Sequence, residues 1–429
     1  MFLECISGKD RSLKVPVGRE PIRMGDIGLQ PTIPLRGLEE KDGYMVFWAV
    51  DGSIDFDGRN LHIPAYVNNQ EVRTARLRGN DVLRLKDTVW KVMVDGKAGQ
   101  GFGIRTQFSQ LIGLEELQDF RLGNIFSEVF KRHSREEMEE QLIMGTARHT
   151  PTLAEIETGW AKPWLFARLL GISAVLAFCL YAGFEAFENL NLVPGLIFVG
   201  SFAVPASALI FFLEMNVPRN VSLFSVMGMV FIGGVASLIA SLILYSKLTL
   251  SNSWFLALAA GPVEETAKLV IVILLAGKAT RYPWILNGLL LGAAVGTGFA
   301  AFESSGYALN YMLSDGFQVG VHEIVLRGVL APFGHIVWTA NAAAALWMVK
   351  GDKPFSWNMV QAPAFLRIFV ASVLCHIIWD APFTILTLPF VLDLKYLLLG
   401  VIAWIICFRL VQAGLKQLNE ARAALKPSL

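Results

Sequence analysis

Three ionisable residues stand inside one apolar run: Glu264, Glu265 and Lys268, in Gly261-Pro262-Val263-Glu264-Glu265-Thr266-Ala267-Lys268, within the stretch 254–276. A charged side chain at mid-bilayer costs about 2.5–3.5 kcal/mol on insertion scales, so a membrane protein keeps one there for a task. Lys268 follows Glu264 by four residues and Glu265 by three, within reach of either carboxylate on a helix. It can neutralise one and leave the other to handle a proton. Pro262 lacks an N–H and its ring clashes with the carbonyl of Leu258, which predicts a kink or restart just before the acids. The plainer alternative is a structural ion pair tying two helices together.

Three later apolar runs also carry ionisable groups: Phe302-Glu303-Ser304-Ser305-Gly306-Tyr307, Gly334-His335-Ile336-Val337-Trp338-Thr339 and His376-Ile377-Ile378-Trp379-Asp380. Glu303 and Tyr307, and likewise His376 and Asp380, are four apart and share a helix face, so one of each pair can orient the other. Pro332 precedes His335 and Pro382 follows Asp380, and irregular backbone at membrane depth belongs where it lines a wet cavity. A lone intramembrane histidine is more often an interhelical hydrogen bonder than a ligand. Two histidines and three glutamates on four helices favour a site.

The elements that must position these groups are membrane helices. The chain has 429 residues, 54% hydrophobic and 17% charged, with a mean hydropathy of +0.49, which excludes an ordinary soluble enzyme. Its net charge of +1 gives no reason to expect a nucleic-acid partner. Cys5, Cys179, Cys375 and Cys407 show no C-x-x-C spacing and imply no disulfide framework. Beyond Pro163, eight stretches are long enough to span a bilayer: 164–187, 192–213, 222–246, 253–276, 284–312, 322–349, 364–388 and 394–413. With the N-terminus inside, the cytoplasmic flanks hold Lys162, Arg219, Lys278, Arg281, Lys350, Lys353, Lys416 and Arg422, and the opposite loops only Lys247 and Lys395. Both termini are therefore expected in the cytoplasm, as is the first domain, since Met1-Phe2-Leu3-Glu4-Cys5 lacks the layout of a signal peptide. Gly288, Gly292, Gly296 and Gly298 form a small-residue series that lets helices approach closely, a packing role without chemistry.

Residues 1–95 read differently, as short alternating runs broken by Gly and Pro. Met45-Val46-Phe47-Trp48-Ala49-Val50 precedes Asp51-Gly52, and Asp57-Gly58 follows, both as hairpin signals. A small β-sandwich is predicted. The order Pro21-Ile22-Arg23-Met24-Gly25, Tyr66-Val67-Asn68-Asn69-Gln70-Glu71-Val72 and Leu77-Arg78-Gly79-Asn80-Asp81 resembles a forkhead-associated (FHA) domain. Such domains bind phosphothreonine through an Arg after the glycine and a Ser and His in the next loops. Here Asp26 stands in place of the Arg, and the loop around Leu35-Glu40 has neither Ser nor His. The phosphate site is degenerate, leaving assembly or sensing through a cytoplasmic protein partner. Between 96 and 162, Leu111, Leu114, Leu117, Ile125, Val129 and Phe130 predict an amphipathic helical linker. Docking on the β-domain is its least demanding use, ahead of the membrane surface or a partner. Ser134-x-x-Glu137 is a capping box for a second short helix ending near Gly145.

Together, Glu264-Glu265-Lys268, Phe302-Glu303-Tyr307, the lone His335 and His376-Asp380 run in the order of the PrsW family of intramembrane proteases, which this region, 163–413, resembles, with 414–429 left as a cytoplasmic tail. That family is related to the CAAX prenyl proteases, whose second motif carries a His where this chain has Glu303, so CAAX specificity does not transfer. The resemblance implies an intramembrane endopeptidase, glutamic-type or metal-dependent, acting on a single-pass membrane protein of the anti-sigma-factor kind within the lipid bilayer. Peptide hydrolysis needs an activated water, an oxyanion stabiliser and a proton donor for the leaving amine. Glu265 is the expected base with Glu264 paired to Lys268, the reverse remaining open. Glu303, His335 and His376 either coordinate a divalent metal such as zinc, leaving a position for water, or orient water and oxyanion without one. Asp380 orients His376. The rival from another class is an ion- or proton-coupled transporter using the same groups as a relay, but no matching pair of interrupted segments marks the two halves.

Overall fold

A computed structural model of the chain describes residues 2–11, 13–50, 53–68, 70–79, 81–93, 104–117, 120–146, 148–248, 252–388 and 392–425. The chain forms two compact units, Met1–Phe102 and Gly103–Leu429.

In the first unit, residues whose side chains alternate between core and solvent pair into two sheets. One contains β1 (Phe2–Ser7), β2 (Lys14–Pro16), β7 (Ala65–Val67), β8 (Gln70–Val72), β10 (Val82–Leu85) and β11 (Thr88–Met93), in the order β2-β1-β11-β10-β7-β8. The other contains β3 (Ile22–Gly25), β4 (Ile33–Pro34), β5 (Tyr44–Val50), β6 (Ser53–Asp57) and β9 (Thr74–Leu77), in the order β4-β3-β5-β6-β9. Leu3, Leu83 and Trp90 from one sheet and Met24, Phe47 and Phe56 from the other share one apolar core, which makes a sandwich. Val50 lies opposite Ser53, as a two-residue hairpin requires, although Asp51 and Gly52 themselves lie outside the described residues. Asp57-Gly58 makes no hairpin. There the Asp57 carboxylate turns back onto the Arg59 guanidinium, and β6 takes β9 as its next partner. Asp26 accepts a bond from the Gly28 amide at 2.9 Å and so starts a single 3₁₀ turn.

The second unit opens with short helices α1 (Ile104–Ile112), α2 (Leu122–Ile125) and α3 (Arg135–Leu142) instead of one amphipathic helix. Ile112, Leu114, Ile125 and Met144 join the apolar core of the membrane helices, so this segment packs within the second unit, while Leu111 and Phe130 stay exposed. The capping box is formed in both directions, Ser134 N–H to Glu137 at 2.6 Å and Glu137 N–H to Ser134 Oγ at 3.1 Å, and its helix ends at Leu142.

Among the described residues, seven segments are long and apolar enough to cross a membrane, and the protein is an integral, multi-pass membrane protein. They comprise α4 (Leu165–Phe187), α5 (Val193–Met215), α6 (Leu223–Gly228) with α7 (Gly234–Tyr245), α9 (Ile285–Ser314), α10 (Phe317–Leu330) with α11 (His335–Lys350), α12 (Pro363–Asp380) and α13 (Leu394–Ala424). The remaining stretch foreseen, the fourth, is α8 (Ser253–Ala276), 24 residues long, which carries Glu264, Glu265 and Lys268. It is long enough to cross; its three charges are grouped near its middle. Helix α8 runs through Pro262 without a break. The foreseen sixth span is two helices, because Ala331–Phe333 tightens into a 3₁₀ turn at Pro332 and Gly334 opens α11. A π-turn, Met229–Gly233, links α6 to α7. Helix α12 stops at Asp380, short of the foreseen 388, and α13 runs past 413 to Ala424, through much of the foreseen tail.

Glycines set the helix spacing. A Cβ on Gly296 would stand 2.6 Å from the His335 carbonyl oxygen, and one on Gly288 would stand 2.9 Å from that of Ala343, so α9 lies directly against the α11 backbone. Gly261 does the same for α8 and α12, where a Cβ would stand 2.6 Å from the Val373 carbonyl. Close packing of these four helices brings the polar motifs to one place.

Candidate active site

The acids of α8 take different partners. Lys268 donates to Glu265 Oε1 at 2.6 Å and stands 3.7 Å from Glu264 Oε2, opposite to the expected pairing. The i,i+3 and i,i+4 spacings both permit contact; what decides is that Lys268 also reaches His335 Nδ1 at 2.9 Å and lies 4.1 Å above the Phe299 ring. Glu265 is saturated: His376 Nδ1 lies 3.0 Å from Oε1, and Thr339 donates to Oε2 at 3.3 Å. It is fully buried and does not line the cavity described below. A carboxylate so bound and so screened from water is poorly placed to be the base foreseen for it.

Glu264 is the freer acid. Tyr245, at the end of α7, donates to its Oε1 at 3.1 Å, while its buried Oε2 has no hydrogen-bond partner. Around that oxygen, His376 Nε2 lies at 3.7 Å and His335 Nδ1 at 4.0 Å. Each of Glu264, His335 and His376 offers one ligand atom, all within 4.8 Å of one another. A carboxylate oxygen without a hydrogen bond, facing two imidazoles, is a donor set for a divalent cation, which would take His335 Nδ1 in place of Lys268, with Glu264 in the place foreseen for Glu303.

Glu303, on α9, instead supports His335: its Oε2 lies 3.1 Å from Nε2 and also accepts from the Arg327 guanidinium of α10. His376 Nε2 lies 3.3 Å from Asp380 Oδ2, the pairing foreseen from their spacing. Tyr307 does not bond Glu303; its ring lies under Arg327, 4.5 Å from the guanidinium. The motif spacing contains no signal for Tyr245 or Thr339. Arg327 had one, as an ionisable residue within an apolar run.

These groups open onto a cavity of about 640 Å³, lined by Tyr245, Glu264, Glu303, Arg327, His335, His376 and Asp380 among polar residues, and by Leu256, Phe299 and Trp338 among apolar ones. It reaches the end of the bundle where α7 ends, α8 begins and α12 ends, marked by Ser253 and Asp380 on its wall and by Trp254 stacked on Phe383. A wet cleft with carboxylates, imidazoles and an apolar wall suits hydrolysis of a bond presented by a membrane-resident substrate.

Residues 217–411 match the sequence model of the PrsW family intramembrane metalloproteases, a stretch that includes every residue of this cluster. No curated protein and no solved structure matches the chain.

Proposed function

From a membrane region, 217–411, that matches the PrsW family of intramembrane metalloproteases, we propose an endopeptidase that cleaves a single-pass, membrane-anchored regulatory protein at the cavity between α7, α8, α9 and α12. The observation carrying this reading is the convergence of Glu264, His335 and His376 within 4.8 Å, with Glu264 Oε2 left unpaired.

Glu264, His335 and His376 would hold a divalent cation such as zinc. Bound there, the ion would supply Lewis acidity and an acidified water. The chain's own groups divide the remaining work. Glu264 holds the nucleophilic water at the cavity, and Tyr245 keeps its carboxylate turned so that Oε2 faces the histidines. Glu265 holds Lys268 and His376 in place and exchanges no proton with substrate. Asp380, the most exposed acid of the cluster, would take a proton from the attacking water and give it to the leaving amine, its contact with His376 Nε2 yielding where that nitrogen holds the ion. The apolar wall excludes bulk water and strengthens each of these interactions.

Counting α8 as a crossing gives eight and returns both termini to the cytoplasm, which puts the cavity mouth toward the external side. Glu264 lies eleven residues into α8, about 16 Å along its axis at 1.5 Å per residue. The substrate is therefore cut near the middle of its membrane segment. The N-terminal sandwich serves a cytoplasmic protein partner recognised without phosphothreonine.

The test compares protein N-termini in membrane fractions from cells carrying the parent chain, Glu264→Gln or His376→Ala. New termini within or beside a single transmembrane segment should appear with the parent and be lost in both variants. Identical termini in all three would refute the reading.

A further inference from the structure

We propose that Arg327 is a positioning residue for His335, acting through Glu303, and that it holds the proton of the His335 ring on Nε2 so that Nδ1 presents its lone pair to Lys268, on the edge of the ring that faces Glu264. The inference rests on His335 being part of the site, and nothing in the motif pattern assigns Arg327 a part.

The bonds around His335 carry the argument. A carboxylate only accepts and an ammonium only donates. Glu303 Oε2 faces Nε2 at 3.1 Å, so Nε2 bears the hydrogen; Lys268 Nζ faces Nδ1 at 2.9 Å, so Nδ1 is bare. Both sides select the same tautomer of a neutral ring. Glu303 must then be kept turned toward His335. Arg327 does so, because its guanidinium holds the same Oε2 that His335 uses.

Arg327 is itself fixed. Its Nε donates to Ser304 Oγ at 2.9 Å, one residue along from Glu303, and the guanidinium lies over Tyr307, one turn further. Glu323, one turn back on α10, lies 3.9 Å from it. A planar fork held by two residues of α9 and one of α10 defines the carboxylate's plane as a flexible ammonium would not. The chain of contact is Arg327, Glu303, His335, then the Lys268 and Glu264 side of the cluster. Partners that orient a ligating histidine in this way are typically worth about ten- to a hundredfold in metal affinity.

The experiment uses the full chain in detergent with ¹⁵N-labelled histidine, the His335 signals being identified by their loss in His335→Gln. In the metal-free parent, His335 should show a protonated Nε2 and a bare Nδ1. Arg327→Gln and Glu303→Gln should each mix the tautomers, while Arg327→Lys should restore the parent form in part. Titration with Zn²⁺ alone gives the second readout, with affinity lower by about ten- to a hundredfold in Arg327→Gln and less in Arg327→Lys. A proton on Nδ1 in the parent would overturn the inference. So would an unchanged tautomer and zinc affinity in Arg327→Gln or, if that variant does not fold, in Glu303→Gln. Should the protein bind no zinc and cleave nothing while the tautomer still follows Arg327, the positioning role stands and the peptidase reading falls.

Discussion

Lys268 and Glu265, three residues apart on α8, form a 2.6 Å ion pair with neither side chain exposed to solvent. Removing one partner of such a pair leaves an uncompensated buried charge, at a cost of about 3–5 kcal/mol. Lys268→Met and Glu265→Gln should therefore each lower thermal stability in detergent sharply, and the double variant should recover part of the loss. Thermal unfolding of the four proteins checks this; losses that simply add would contradict the coupling.

The topology is tested at Asp315, which caps the end of α9. A reporter inserted there should be external and one fused to the C-terminus cytoplasmic. An internal reporter at Asp315 would overturn the eight-crossing arrangement and the external cavity mouth with it.

Gly296 touches no catalytic side chain, yet its missing Cβ lets α9 lie against the backbone of His335. Gly296→Ala should push the start of α11 away, destabilising the protein by about 1–3 kcal/mol, the usual range for overpacking. Cleavage should fall by more than the loss of folded protein accounts for. Activity per folded molecule equal to the parent would show that the site tolerates the shift.

For the N-terminal domain, phosphopeptide titration should show no preference for phosphothreonine over threonine, since Asp26 would repel the phosphate and is already engaged with the Gly28 amide. Its acid sensitivity has a named source. Burial alone would raise the Asp42 carboxyl, but Lys86, at 2.5 and 2.6 Å, and the Glu39 amide hold it below the usual carboxylate value. A carboxyl lowered on folding adds stability that is complete above its unfolded value of about 3.9 and is lost as pH falls through the folded value. Hydrogen exchange in the sandwich should rise at lower pH in the parent than in Lys86→Met; coincident profiles would remove the pair from the account.

The four polar motifs were legible because intramembrane charge is costly and the i,i+4 spacing of His376 and Asp380 is fixed by helix geometry. Which glutamate Lys268 would choose was not, since both lie within reach along α8 and the choice is made by His335 and Phe299 from other helices. The same limit moved Glu303 from the expected ligand set to the support of His335: its partner Arg327 lies on α10, and one apolar run hid the break at Ala331–Phe333 that lets α10 and α11 present different faces. In the linker, the apolar stripe marked Leu114 and Ile125 for burial but also took in Leu111 and Phe130, which stay exposed, because several short helices turn different faces inward where one long helix would keep a single stripe.

In the proposed mechanism the Glu264 side of the cluster performs hydrolysis while Glu265 holds the structure. The most direct measurement of this division is the rate at which a new N-terminus appears on a single-pass substrate, identified by the membrane-fraction comparison, when it is reconstituted in liposomes with the parent or with Glu264→Gln. Cleavage should fall by at least about a hundredfold in Glu264→Gln, the loss that misplacing the attacking water alone can cause, in a protein that remains folded. Cleavage by folded Glu264→Gln at near the parent rate would contradict that mechanism.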